Sequence, residues 1–169
     1  MNIEIEPDGS YLFTDIDALI ISVFRRIPDA ANPEGNEMAE GRLYVDPVSM
    51  DLPEADSICE EWSEWVHPDL KFLFESALET IREDLDSVQE KKVKNEKSTL
   101  YSMRIPPSHA EAWLNGLNQA RLVLAAKYGF DEEDMNRELD VPFLSEREFA
   151  LWQVNFYAWL QEIFLWEPE

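Results

Sequence analysis

Hydrophobic and polar residues alternate with a period of two only at the start of the chain. Ile3 and Ile5 are separated by acidic Glu4, Pro7-Asp8-Gly9 supplies turn chemistry, and Tyr11-Leu12-Phe13 resumes the apolar run, which predicts a small β-hairpin. The period then lengthens to that of a helix. Ile16, Leu19, Ile20, Val23, Phe24 and Ile27 share one face and predict a helix over 14–27, opened by Thr14 with Asp17 and stopped by Pro28. Residues 28–53 carry Pro28, Pro33, Pro47 and Pro53 with Gly35 and Gly41, and few apolar groups outside Leu43-Tyr44-Val45, which reads as a mobile loop.

The helical period returns over 54–66 with Ile58, Trp62, Trp65 and Val66, and Pro68 breaks it. A longer helix is predicted over 69–97. Leu70, Leu73, Phe74, Ala77, Leu78, Ile81, Leu85 and Val88 lie inside it, Glu75, Glu79, Glu83, Asp84 and Asp86 outside, and a lysine cluster stands near its C-terminus. Ser108 with Glu111 forms a capping box for a helix over 108–128, and Gly129 is placed to end that helix in the left-handed conformation. Ser145 with Glu148 caps a last helix over 145–165, apolar on nearly every side and so buried centrally or against a partner chain. The pattern predicts a single mainly α domain over 1–169, a helical bundle of about five helices with a small N-terminal β-hairpin.

Charge narrows the partners. The chain has 169 residues with 36 Asp and Glu against 14 Lys and Arg, a net charge of −22. A field of that sign repels phosphates and anionic lipid, so the expectation is no nucleic acid, no membrane, and instead a basic protein partner. A homodimer through the C-terminal helix would cover that helix's remaining apolar side. A second class is acidic mimicry of nucleic acid, in which carboxylates compete for a basic DNA-binding protein. The N-terminus shows no signal-peptide pattern and the longest apolar run is too short to span a bilayer, so the expected location is the cytoplasm. Cys59 is the single cysteine, which excludes an internal disulfide and a cysteine-based zinc site.

Candidate chemistry is sparse. A di-iron bundle needs paired Glu-x-x-His motifs, and Glu64-Trp65-Val66-His67 supplies one while His109 has Pro106 in the glutamate position. His109 and Glu111 are two apart and do not face each other on a helix, so His109 reads as an exposed residue of a capping turn. No phosphate loop, nucleophile elbow, zinc-protease motif or EF-hand spacing occurs. The expectation is therefore no catalytic residue, cofactor or metal, and no enzyme. An enzyme with a carboxylate-rich metal site is the third alternative.

The helix over 108–128 raises one local question. Its stripe is Trp113, Leu117, Ala120 and Leu124, and Asn118 and Arg121 adjoin it between Leu114 and Leu122, on a strip expected to be half-buried. A half-buried guanidinium needs an acceptor, and Glu111, the acids at 131–134 and the turn at 146–148 are candidates, so Arg121 is expected to form an internal ion pair with one of them, a ligand-binding arginine being the alternative.

The same positions carry a family resemblance. Trp113-Leu114, Leu117-Asn118 and Arg121-Leu122, followed by Tyr157, Trp159-Leu160 and Gln161, resemble the bacterial family DUF2017, a domain of unknown function. The stretch from His67-Pro68 through the lysine-rich segment and the early helix with Ile20, Phe24 and Arg25 fit the same family. The resemblance implies no activity. It implies, through the genes that accompany family members, an accessory or regulatory protein in Clp-type proteolysis or in cysteine supply, and it marks Trp113, Asn118, Arg121, Tyr157, Trp159 and Gln161 as structural or interaction residues.

Overall fold

The computed structural model describes residues 1–45, 47, 55–92, 99–135, 137 and 145–165. The alternating N-terminus forms the expected hairpin. Strand β1 (Asn2–Ile5) pairs antiparallel with β2 (Tyr11–Ile16), Asn2 opposite Thr14 and Ile5 opposite Tyr11. Gly9 closes the turn with φ 84°, and its N–H donates to the Glu6 carbonyl at 2.8 Å.

The hairpin is only half of a sheet. β3 (Gln89–Lys92) and β4 (Thr99–Ile105) complete a four-stranded antiparallel sheet in the order β1-β2-β4-β3. A bulge interrupts the β2–β4 ladder between Phe13 and Ile16, and Asp15 within it adopts φ 51°, a left-handed conformation that aspartate tolerates better than most residues. The helix expected over 69–97 therefore ends early. Lysines that read as the C-terminal charges of a helix are Lys91 and Lys92 of an exposed edge strand, where charge blunts edge-to-edge pairing. Lys94 and Lys97 lie outside the described residues.

Helix α1 (Ala18–Arg25) starts later than the periodicity suggested, because Thr14 belongs to β2 and Asp17 is itself the N-cap, accepting from the Ile20 N–H at 2.9 Å. Pro28 does not end a helix here. It occupies the first turn of the short α2 (Ile27–Ala30), where its missing N–H has no ladder to join. The segment 28–53, read as a mobile loop, also contains α3 (Glu37–Leu43), capped by the Asn36 side chain; residues 46 and 48–53 lie outside the described residues. α4 (Ala55–Trp65) and α5 (His67–Asp86) follow, with Pro68 in the first turn of α5.

A 3₁₀ turn (Pro107–His109) leads into α6 (Ala110–Tyr128). The expected Ser108–Glu111 capping box is absent, since Ser108 lies within that turn and the helix begins at Ala110 without a side-chain cap. Gly129 does end α6 in the left-handed conformation, at φ 60° and ψ 45°. α7 (Glu132–Met135) precedes α8 (Glu146–Leu165), which opens on the expected capping box. Ser145 Oγ accepts from the Glu148 N–H at 3.3 Å, and Glu148 Oε2 accepts from the Ser145 N–H at 2.9 Å. The architecture is thus mainly helical with a small antiparallel sheet, and eight helices among the described residues replace the expected five.

α6 is the axis of the fold. It packs against α2, α3, α5 and α8, so it is buried on more than the single stripe its sequence displays. Trp113, Leu117, Ala120 and Leu124 enter the main core with Phe13, Phe24, Met103, Ile105, Tyr157 and Leu160. A second row, Gly116, Gln119 and Val123, turns towards α5 and α3. Gly116 permits the α5 crossing: a Cβ there would lie 2.3 Å from Ile81 Cδ1. α8, apolar nearly all round, loses Ala150, Leu151, Val154, Tyr157, Leu160 and Phe164 to the interior of the monomer.

Candidate functional site

Of the six residues singled out in the sequence, three lock α6 to its neighbours. Trp113 is wholly buried, and its indole Nε1–H donates to Asp84 Oδ2 at 2.8 Å. His109 Nδ1 approaches the same carboxylate at 3.0 and 3.1 Å, and a carboxylate only accepts, so that nitrogen carries the hydrogen. Asp84 is buried, contrary to its expected place on the outer face of the preceding helix, and His109 is partly covered rather than an exposed turn residue. Both carboxylate oxygens are occupied, so the group ties α5 to α6.

Arg121 and Gln161 meet across α6 and α8. Arg121 Nη1 donates to Gln161 Oε1 at 2.5 Å, and Gln161 Nε2 donates to the Leu114 carbonyl at 3.1 Å. The expected ion pair does not form. The acids near α8 are held by other groups: Asp134 by Arg147 at 2.7 and 2.8 Å, Glu148 by Arg137 at 3.0 Å, and Glu146 by the Tyr128 hydroxyl at 2.9 Å. Arg121 Nε is buried with no hydrogen-bond partner, and burial pulls the guanidinium below its ordinary pKa. Asn118, expected beside it on a half-buried strip, is exposed; its chain neighbour Gln119 takes the inward position.

Tyr157 is buried with its hydroxyl donating to the Val23 carbonyl at 3.1 Å and accepting from Gln153 Nε2 at 3.2 Å. Burial raises its pKa well above the ordinary tyrosine value. Trp159 lies on the outer side of α8, exposed, with its ring against Phe156. Glu64 of the half-motif is exposed, and His67 Nε2 is a buried atom without a hydrogen-bond partner.

Two surface features escaped the sequence reading. The first is a set of exposed apolar side chains on the consecutive helices α4 and α5: Ile58, Trp65, Phe72 and Leu73, with Trp65 70% and Phe72 74% exposed. Helical periodicity placed Ile58 and Trp65 on a short apolar face and Leu73 on the inner side of the next helix, yet all three are exposed. Residues 55–86 around them carry ten acidic residues against two basic ones. The second is a cleft of about 550 Å³ bounded by α2, α3, α5 and α6, with Gln119 on its floor. Gln119 is 2% exposed and its Nε2 has no hydrogen-bond partner. A polar residue in the second, small-residue row of α6 was the signal available for it.

Among the described residues no group of three or more His, Cys, Asp or Glu is placed to hold a metal ion, and no helix is long and apolar enough to cross a membrane. Comparison with curated proteins and with solved structures finds no significant match. The family profile described as Domain of unknown function (DUF2017) matches residues 11–165, a span that contains the Asp84–Trp113 tie, the Arg121–Gln161 brace and the cleft, and the chain belongs to that family.

Proposed function

We propose that the protein is a non-enzymatic interaction protein, of an accessory or regulatory kind, that engages a basic partner protein through the α4–α5 face. The observation that carries this is the exposure of Ile58, Trp65, Phe72 and Leu73 on two consecutive helices whose remaining surface is strongly acidic. Large aromatic side chains at 70% exposure or more serve as anchors in interfaces, while the surrounding carboxylates steer a cationic partner and repel anionic ones. The residues that resemble chemistry in the sequence fit this reading, because Arg121, Tyr157 and Trp113 spend their polar groups inside the fold. The same reading accommodates a role beside Clp-type proteolysis and a cytoplasmic location. Six α8 side chains already lie inside the monomer and Phe149, Trp152, Phe156 and Ile163 are partly covered, so among the described residues Trp159 and Leu165 are the exposed large apolar groups of α8, against four on α4 and α5, which favours α4–α5 over a homodimer through α8.

Affinity capture from native extract at low and high salt tests the proposal. The expected result is a basic protein retained at low salt, released at high salt, and lost with Trp65→Ser/Phe72→Ser. Recovery of the protein alone, or capture indifferent to both salt and those substitutions, contradicts it.

A further inference from the structure

The α4–α5 face leaves unexplained why a side-chain amide is buried without an acceptor at the bottom of an open cleft. Gln119 lines the cleft of about 550 Å³, and its buried side-chain Nε2 makes no hydrogen bond. Buried donors are nearly always satisfied, and one that is not stands ready for an acceptor that a ligand brings.

The walls state what else that ligand carries. Asp29, Glu34, Glu40 and Glu75 line the cleft, against Lys71 and Arg82. The two cations lean on neighbouring acids of their own helix, Lys71 on Glu75 at 3.9 Å and Arg82 on Glu79 at 3.3 Å, so the cleft keeps a negative balance. Tyr44 and Phe74, with ring centroids 6.0 Å apart, supply an aromatic wall suited to the stem and charge of a long cationic side chain. The Tyr44 hydroxyl is held above its ordinary pKa by burial first and then by the Glu75 and Glu40 carboxylates, which places negative potential beside that wall.

The shape favours a chain over a compact molecule. A second hollow of about 340 Å³, lined by Tyr44, Ser63, His67, Pro68 and Lys71, shares Tyr44 and Lys71 with the cleft and extends it towards the base of α4. We infer that this groove receives an extended segment of the basic partner, an arginine or lysine side chain lying between the acidic wall and the Tyr44–Phe74 rings while Gln119 donates to the segment's main-chain carbonyl. The inference rests on the proposed interaction role and adds the recognition chemistry.

Nuclear magnetic resonance of the full ¹⁵N-labelled chain tests it, titrated with acetyl-Gly-Arg-Gly-amide, acetyl-Gly-Lys-Gly-amide, neutral acetyl-Gly-Gln-Gly-amide and spermidine. The arginine and lysine peptides are expected to shift the Gln119 side-chain amide and the backbone of α3 and α6 around it. The neutral peptide should shift neither, and spermidine should bind more weakly. Gln119→Met should weaken the arginine peptide about fivefold, the size of one hydrogen bond. Glu40→Gln/Glu75→Gln alters two exposed residues and should weaken it severalfold without loss of fold. Shifts confined to α4 and the outer side of α5 would overturn the cleft while leaving the interaction role standing. No shift anywhere at low salt would overturn both. Spermidine binding as tightly as the arginine peptide would overturn the carbonyl contact.

Discussion

Replacing Asp84 by alanine is the most informative single change to the fold. The carboxylate receives Trp113 Nε1–H at 2.8 Å and His109 Nδ1–H at 3.0 Å, and it joins α5 to the start of α6. A hydrogen bond to a charged group is worth about 1.5–3 kcal/mol, and a buried donor left unpaired costs about 1–3 kcal/mol. Trp113 is wholly buried and cannot reach water, so its share lies at the upper end; the His109 side chain is 32% exposed and water replaces much of its loss. The two together give about 3–4 kcal/mol, a large fraction of the stability of an ordinary domain. For a chain of this length each kcal/mol moves the melting temperature by about 2–4 °C, so Asp84→Ala should lower it by roughly 10 °C. Far-UV circular dichroism melts read this directly. Repeating the change in a Trp113→Phe background, where the indole donor is gone, should reduce the cost by about 1.5 kcal/mol or more. A shift below about 3 °C in the wild-type background, where the tie is intact, would refute the reasoning. Equal costs in the two backgrounds would refute it as well.

Gly116→Ala places a Cβ 2.3 Å from Ile81 Cδ1; the gain in helix propensity of about 1 kcal/mol is smaller than an overpacking cost of about 1–3 kcal/mol, so chemical denaturation should show a net loss. Ile81→Val removes that atom, and the double variant should be more stable than the sum of the single changes, whereas strict additivity would speak against the close crossing. At the α6–α8 brace, Gln161→Leu leaves the Arg121 guanidinium half-buried without its Nη1 partner and should cost about 2–3 kcal/mol, while Arg121→Leu/Gln161→Leu together should cost less than Gln161→Leu alone. Arg121→Leu with no effect on stability would return Arg121 to the status of a binding residue. Asp134 has its pKa lowered to about 2, first by the hydrogen bonds from Arg147 and next by the Asp131 N–H. A carboxyl whose folded pKa lies below its ordinary value stabilises the fold above that ordinary value and loses the contribution as pH falls towards about 2. Arg147→Gln should therefore flatten the acid limb of the stability curve between the ordinary carboxyl range and that point, and an unchanged limb would contradict the assignment.

Legibility in the sequence followed the strength of local signals. The hairpin turn at Gly9, the stop at Gly129 and the Ser145–Glu148 box each rest on a residue type that the backbone conformation itself demands, and all three are present. Tyr101, Met103 and Ile105 alternate in the way a strand does, yet the lysines before them mimic the end of a helix, and the second half of the sheet was lost to that resemblance. The Ser108–Glu111 pair has the right spacing for a cap but a proline immediately before it, and the chain enters α6 through a 3₁₀ turn instead. The brace was legible in part. Arg121 and Gln161 were both marked, but carboxylates outnumber every other acceptor in this chain, so charge pointed Arg121 at acids that Arg137, Arg147 and Tyr128 already hold. Asp84 could not be separated from nine other acidic residues of 55–86 by any property of its own, since only the arrival of Trp113 from α6 makes it an interior group. Gln119 was hidden for a related reason: the second face of α6 is built from glycine, valine and alanine, which leave little mark on a hydrophobic pattern.

The central claim is that an acidic surface with exposed aromatic anchors on α4 and α5 recognises a basic protein segment. Fluorescence polarisation of a labelled arginine- and lysine-rich peptide, carrying one leucine as an apolar contact, tests it most directly against the wild-type chain and Trp65→Ser/Phe72→Ser at matched salt. The account predicts binding that weakens as salt rises, a further loss in the variant at every salt concentration, and an unchanged melting temperature for the variant, because Trp65 and Phe72 are mostly exposed. Equal affinity of the peptide for both proteins would contradict it.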